Sequence, residues 1–221
     1  ESIGLPGSTD DYKIGYKSPY RHLDRLTRVY EYMGPAWYQR EIEIPAAWKG
    51  KRIFLYFERT HWLSSVYVGK EEVSKIDYIS IPHNHELTQW LHPGKKELIT
   101  FCIDNRYQYD THKWDHAHSE FTQINWNGVL GEIKLVAVDP VYVDDMQVYP
   151  DIKNKSIKVK MTVRNCTEHT ASGKISFHVT GKDYRLQKEV PETVTDSITY
   201  IEEEKILGKE YNMWNAFNQN L

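Results

Sequence analysis

Short runs of alternating apolar and polar residues, each closed by a turn signal, limit what this chain can become more than any other feature. Ile157, Val159, Met161 and Val163 alternate with Lys158, Lys160, Thr162 and Arg164, and Ile175, Phe177 and Val179 alternate with Ser176, His178 and Thr180. A period of two sends the two sets to opposite faces of a strand, so both runs read as strands with one dry and one wet face. Residues 53–57 and 98–103 are instead apolar on both faces, the pattern of central strands covered on both sides. Residues 62–68 and 133–138 are further strand candidates. Between the runs stand Lys49-Gly50-Lys51, Gly69-Lys70, His92-Pro93-Gly94-Lys95, Asn127-Gly128 and Ser172-Gly173. Short strands with such punctuation predict an all-β chain built of sandwiches. No segment keeps a helical period over three turns, and the nearest, residues 201–214, is interrupted by Gly208.

A chain of 221 residues has room for two domains. The boundary is placed at Asp139-Pro140, where one strand pattern ends, a proline interrupts pairing and a new pattern begins at Val141. The expected domains are therefore 1–139, rich in Trp, His and loops, and 140–221, a leaner sandwich. The latter has immunoglobulin-like strand spacing without the Cys…Trp…Cys signature of antibody domains. Cys102 and Cys166 lie far apart in strand-like runs and are read as two buried thiols, not a disulfide.

Lys and Arg number 28 against 31 Asp and Glu, interspersed to a net charge of −3. With neither a basic stripe nor an acidic tail, nucleic acid and anionic membrane are not expected as partners. No run approaches a membrane span and Glu1 begins no signal peptide, so membrane insertion is not expected either. The 16 Tyr and 7 Trp outnumber the 6 Phe. Such rings join an apolar face to a polar handle, which suits half-buried β surfaces and sugar stacking alike.

Three blocks stand in order. The first is Leu5-Pro6-Gly7-Ser8-Thr9-Asp10. The second runs Gly34-Pro35-Ala36-Trp37-Tyr38-Gln39-Arg40-Glu41-Ile42-Glu43-Ile44-Pro45, followed by Trp48-Lys49-Gly50-Lys51-Arg52. The third is Ile103-Asp104-Asn105-Arg106, then Asn125-Trp126-Asn127-Gly128-Val129-Leu130-Gly131 leading into Glu132-Ile133-Lys134-Leu135. Together they resemble the amino-terminal sugar-binding domain of glycoside hydrolase family 2, the family of β-galactosidases, β-glucuronidases and β-mannosidases. The segment from Val141 resembles the immunoglobulin-like sandwich that follows it. The resemblance implies a jelly-roll, galactose-binding-like β-sandwich, then an immunoglobulin-like one, and a (β/α)8 barrel, absent from this chain, that carries the chemistry. The implied partners are a carbohydrate substrate, with β-galactoside the default, and the barrel of the same parent chain. No cofactor is implied. Residues 214–221 resemble the family's Trp…Pro…Leu-Tyr segment without its Pro, so the second sandwich is expected to lack its last strands. An open edge would then let it dimerise or swap strands beyond Val141. A stand-alone pair of carbohydrate-binding modules and an adhesion sandwich are the rival readings.

Glycoside hydrolysis needs two carboxyl groups, roughly 5–9 Å apart, with separated pKa values. The family's acid/base Glu usually follows an Asn, and no Asn-Glu dipeptide occurs here; Glu71-Glu72 and Glu202-Glu203-Glu204 read as solvated turns and edges. No catalytic residue is assigned. Asn125 and Asn127 admit two readings. One is a structural turn in which Gly128 takes positive φ over Trp126; the other is contact with a sugar hydroxyl, to which an amide offers both donor and acceptor. The family's two active-site loop residues fall by position on Thr122 and Glu31, neither of which matches the polar residue found there. His83/His85 and His116/His118, with His112 nearby, are His-x-His pairs that share a face on a strand and could ligate zinc. Their loop-like flanks favour loop histidines facing the barrel, and no metal site is assigned. Tyr107, Tyr109 and Trp114 are expected to pack the long loop 106–119 against its own sandwich or the barrel. Asp104-Asn105-Arg106 is read as structural: the first two satisfy loop backbone and Arg106 pairs with a carboxylate.

Overall fold

The computed structural model describes residues 2–23, 26–110, 125–181, 184–194, 198–206 and 217. Among them are β-strands and one 3-10 turn, Ala46–Trp48, and no α-helix, so the all-β expectation holds. The chain divides into two compact units, Glu1–Ala137 and Val138–Leu221.

The first unit holds β1 (Gly7–Ser8), β2 (Tyr16–Lys17), β3 (Tyr30–Glu31), β4 (Pro35–Glu43), β5 (Arg52–Thr60), β6 (Leu63–Val68), β7 (Glu71–Asp77), β8 (His83–Glu86), β9 (Lys96–Asp104) and β10 (Gly128–Val138). Two four-stranded sheets run in the orders β1-β10-β5-β8 and β4-β9-β6-β7, while β2 and β3 pair by themselves. β5 and β9 are interior strands of their sheets, as their two-faced apolarity requires. Ile53, Leu55 and Phe57 of β5 share one core with Ile99, Phe101 and Ile103 of β9, so the two sheets pack as a sandwich. Phe57 and Phe101 lie 4.9 Å apart between ring centroids, and Tyr38 stacks on Phe101 at 4.9 Å. Each such ring, fully buried, contributes about 1.5–3 kcal/mol.

The second unit holds β11 (Val141–Asp151), β12 (Ser156–Asn165), β13 (Ala171–Gly181), β14 (Tyr184–Val194) and β15 (Ile198–Ile206). They form the sheets β11-β12-β15 and β13-β14. Val159, Met161 and Val163 of β12 are buried against Val194 of β14, while Lys160 stays exposed, as the alternation requires. Three details depart from expectation. Ser172 and Gly173 lie inside β13 and pair with β14 instead of turning. Residues 201–206 of the weak helical candidate belong to β15; the rest of it, and Trp214, lie outside the described residues. Both cysteines are unpaired, but Cys166 is exposed just beyond β12, and only Cys102 is buried.

Candidate functional site

β9 ends at Asp104, β4 begins after Gly34 and β10 begins after Asn127, so three loop segments meet at one end of the first sandwich. Backbone that leaves a ladder there needs new partners once it is buried. Asn105 supplies four. Its Oδ1 accepts from the Gly34 N–H at 2.9 Å and from Asn127 Nδ2 at 3.2 Å, and its Nδ2 donates to the carbonyls of Tyr32 at 2.8 Å and Asn125 at 3.1 Å. Asn125 Nδ2 donates back to the Asn105 carbonyl at 2.8 Å. Asn127 Nδ2 donates to the carbonyls of Gly34 at 2.8 Å and Ile103 at 3.1 Å. Buried Arg28 extends the knot, its Nη1 donating to the Tyr32 carbonyl at 2.9 Å. Beside it, Arg106 Nε donates to both carboxylate oxygens of Asp104 at 3.0 Å. Burial raises the Asp104 carboxyl, but the hydrogen bonds and charge of Arg106 outweigh it and hold the group below the usual carboxylate range. The structural reading of Asp104-Asn105-Arg106 is borne out.

The sugar-contact candidates fall in different places. Asn125 and Asn127 have no exposed surface, and their amide N–H groups are engaged by backbone carbonyls, which is the structural one of their two readings. Glu31 is exposed in β3. Thr122 lies outside the described residues, as do His112, Trp114, His116 and His118. Gly128 has the expected positive φ, 132°, but it opens β10 opposite Ser8 and does not turn a hairpin. A Cβ there would stand 2.3 Å from the Gly7 carbonyl oxygen, so the close approach of β1 is what requires glycine. Tyr107 and Tyr109 pack with Trp62 of their own unit, at 6.4 and 6.2 Å between ring centroids.

His83 and His85 share a face, as their spacing requires, but that face is the core: both are fully buried in β8. The loop reading of this pair is therefore corrected. His83 Nε2 lies 2.9 Å from the Tyr78 carbonyl and must donate to it, which leaves Nδ1 to accept from a hydroxyl, with Ser64 Oγ at 2.6 Å and Thr60 Oγ1 at 3.0 Å both in reach. Ser64 Oγ also lies 2.8 Å from His85 Nε2 and Ser74 Oγ lies 2.8 Å from His85 Nδ1, so each nitrogen of the His85 ring has a hydroxyl partner that can donate or accept. Burial lowers the affinity of both for a proton, and His83 adds to it at His85, which is pushed down to about 3. Hydroxyls and a carbonyl thus occupy the nitrogens that a metal would need. Among the described residues no three His, Cys, Asp or Glu side chains gather in metal-binding reach. None of the described helices is long and apolar enough to cross a membrane.

Two all-β units in series, the first a double-sheet sandwich tied at one end by an amide knot, define the class of protein. A solved β-glucuronidase from glycoside hydrolase family 2 shares this fold with a TM-score of 0.76 at 16% identity, over 92% of this chain and 23% of that one. Residues 141–221 match the model of the family described as glycosyl hydrolases family 2. A β-glucuronidase of Formosa agariphila is 23% identical over 197 residues, covering 80% of this chain and 19% of its own. A β-galactosidase of Thermoanaerobacter pseudethanolicus is 22% identical over 155 residues, covering 69% and 20%. The resemblance to glycoside hydrolase family 2 carried by the ordered motifs is borne out by these matches. The chain spans about a fifth of the length of these curated relatives.

Proposed function

We propose that this chain is the non-catalytic, carbohydrate-positioning region of a family 2 glycoside hydrolase, and that the parent protein hydrolyses β-glycosides on a (β/α)8 barrel. Its parts are a jelly-roll domain, 1–139, and an immunoglobulin-like domain, 140–221. The observation that supports this best is the alignment with glycosidases over most of this chain but only about a fifth of theirs. β-Galactosides and β-glucuronides are the substrate classes those relatives' names carry, and they are the classes proposed here. Within the region, Glu31 and Thr122 are the proposed sugar contacts, while Asn125 and Asn127 fix loop backbone.

The test is to assay the natural full-length polypeptide with nitrophenyl β-galactoside and nitrophenyl β-glucuronide. One of them is expected to be turned over. Glu31→Ala should raise KM roughly threefold to tenfold with kcat little changed, the loss expected of one hydrogen bond made equally in ground and transition states. Failure of both substrates would overturn the reading.

A further inference from the structure

We infer that the outer face of the β4-β9-β6-β7 sheet is a binding platform for a single neutral glycan chain, with Trp37 as its stacking ring. The inference shares the carbohydrate reading above but does not depend on hydrolysis by the parent protein. The inner face of this sheet is filled by Tyr38, Val66, Ile99, Phe101 and Ile103; the outer face has no such cover. Trp37 stands there 59% exposed, with Tyr67 beside it at 5.5 Å between centroids and a tilt of 44°. Register explains why the rings meet: Trp37 lies opposite Cys102 and Tyr67 opposite Thr100, so they approach diagonally across β9. Hydrogen-bonding groups flank them in the same rows. Gln39 Nε2 donates to Thr100 Oγ1 at 2.9 Å, and the Tyr67 hydroxyl donates to Glu72. Lys75 and Glu41 stand at the margins.

A large exposed indole needs a partner that offers one apolar face and a hydroxyl rim, and a pyranose ring does so. A protein partner fits less well. Stable interfaces bury about 800 Å² on each side around a core depleted of charge, whereas here charged side chains stand within a strand or two of the open Trp37 indole. The tilt keeps the two rings from lying together on a flat crystalline surface, which leaves a single soluble chain. Glu72 at the Tyr67 hydroxyl would repel the carboxylates of a polyuronate, Glu41 and Lys96 neutralise each other at 3.3 Å, and Lys75 offers a run of carboxylates a single cation, so the chain is neutral.

Affinity electrophoresis of the whole 221-residue chain through gels holding mixed-linkage β-glucan, galactan or polygalacturonate tests this. Retardation is expected on at least one neutral polysaccharide and not on polygalacturonate. Trp37→Ala should weaken it at least fivefold without moving the unfolding midpoint, and Trp37→Tyr should keep most of it. Should Trp37→Ala fail to fold, Gln39→Arg, which would crowd the ring from the same strand, carries the same expectation. No retention on either neutral polymer, or retention unchanged in both the Trp37→Ala and Gln39→Arg variants, would overturn the platform. So would self-association abolished by Trp37→Ala without glycan retention, which would make the face a protein interface. Loss of glycosidase activity in the full-length protein would strike the hydrolase reading and leave retention untouched.

Discussion

Asn105 is the residue on which the largest number of loop groups depend. Its amide serves the Gly34 N–H, the Tyr32 and Asn125 carbonyls and Asn127 Nδ2, all at a site without solvent to replace it. Asn105→Ala should therefore destabilise the first unit by about 2–4 kcal/mol, since several buried groups lose partners together. Asn105→Asp should cost as much, because it keeps the acceptor but loses both donations and buries a carboxylate. Urea unfolding followed through first-unit tryptophans reads the difference. This role was legible from a polar triplet closing an apolar run. The histidine relay was not: spacing placed His83 and His85 on one face, but Pro82 and Asn84 beside them suggested loop, and only Ser64, Thr60 and Ser74 on other strands make the core tolerable for them. The relay has a pH consequence. In the unfolded chain a histidine titrates near 6.5, whereas folded His85 resists a proton until about 3. Above pH 6.5 nothing is lost; below it the unfolded chain takes up protons that the fold refuses, so stability declines as pH falls. The slope approaches about 1.4 kcal/mol per pH unit for His85, and His83, whose proton affinity burial also lowers, adds in the same direction. Urea midpoints from pH 7.5 to 4.5 should fall in the wild type, and more shallowly in His85→Gln if that variant folds. A flat profile would show the rings accept protons in place.

At the scale of elements, the register of β1 depends on a glycine in a neighbour. Gly128→Ala would force a Cβ to 2.3 Å from the Gly7 carbonyl and 2.9 Å from Ser8 Cα at a φ of +132°. Backbone cannot retreat as a side-chain tip can, so about 2–4 kcal/mol and protection of the β1 amides should be lost. Gly131→Ala is the milder contrast: its φ of +75° strains an alanine too, but its clash is with the Glu58 carboxylate end, 2.3 Å away, which can swing aside at the loss of its bond from the Glu132 N–H. Hydrogen exchange at Thr9, whose N–H donates to the Asn127 carbonyl at 2.9 Å, should separate the two variants. β11 shows why some elements escaped the sequence. Its apolar residues change phase because the register slips between Val143 and Asp145, and a bulge of this kind breaks the period of two that makes a strand recognisable. Once the bulge is allowed for, Val143, Met146 and Val148 fall opposite buried Val163, Met161 and Val159, yet they remain 50%, 59% and 51% exposed. Among the described residues β11 pairs on one side only, with β12. A long edge with an apolar flank invites strand addition, so the chain should self-associate through β11 at high concentration. Met146→Lys should return it to monomer in size-exclusion with light scattering. A wild type that is monomeric throughout would mean that the edge is already covered.

For the whole molecule, the all-β class was readable because strand period and turn punctuation are local properties. The knot was not, since Arg28, Gly34, Asn105 and Asn127 are brought together only by the pairing of β4, β9 and β10 into sheets. The same long-range placement bears on catalysis. A glycosidase acid must hold its proton at neutral pH, which takes a raised pKa and a second carboxylate across the sugar. Among the described residues the two carboxyls that are displaced move the wrong way: Asp104 is held down by Arg106, and Asp151 by the backbone N–H and side-chain amide of Asn154. Other acids are tied to cations, Glu86 to Arg52 and Asp144 to Arg164. The 221-residue chain alone is therefore expected to release no nitrophenol above buffer from nitrophenyl β-galactoside, β-glucuronide or β-mannoside. Overnight incubation at micromolar protein sets the limit, because even a crippled glycosidase with half its carboxylate pair would exceed the spontaneous rate. Turnover that disappears with one Glu or Asp substitution inside the chain would mean that a carboxylate pair is assembled here after all. Turnover that survives every such substitution would point instead to a contaminating enzyme.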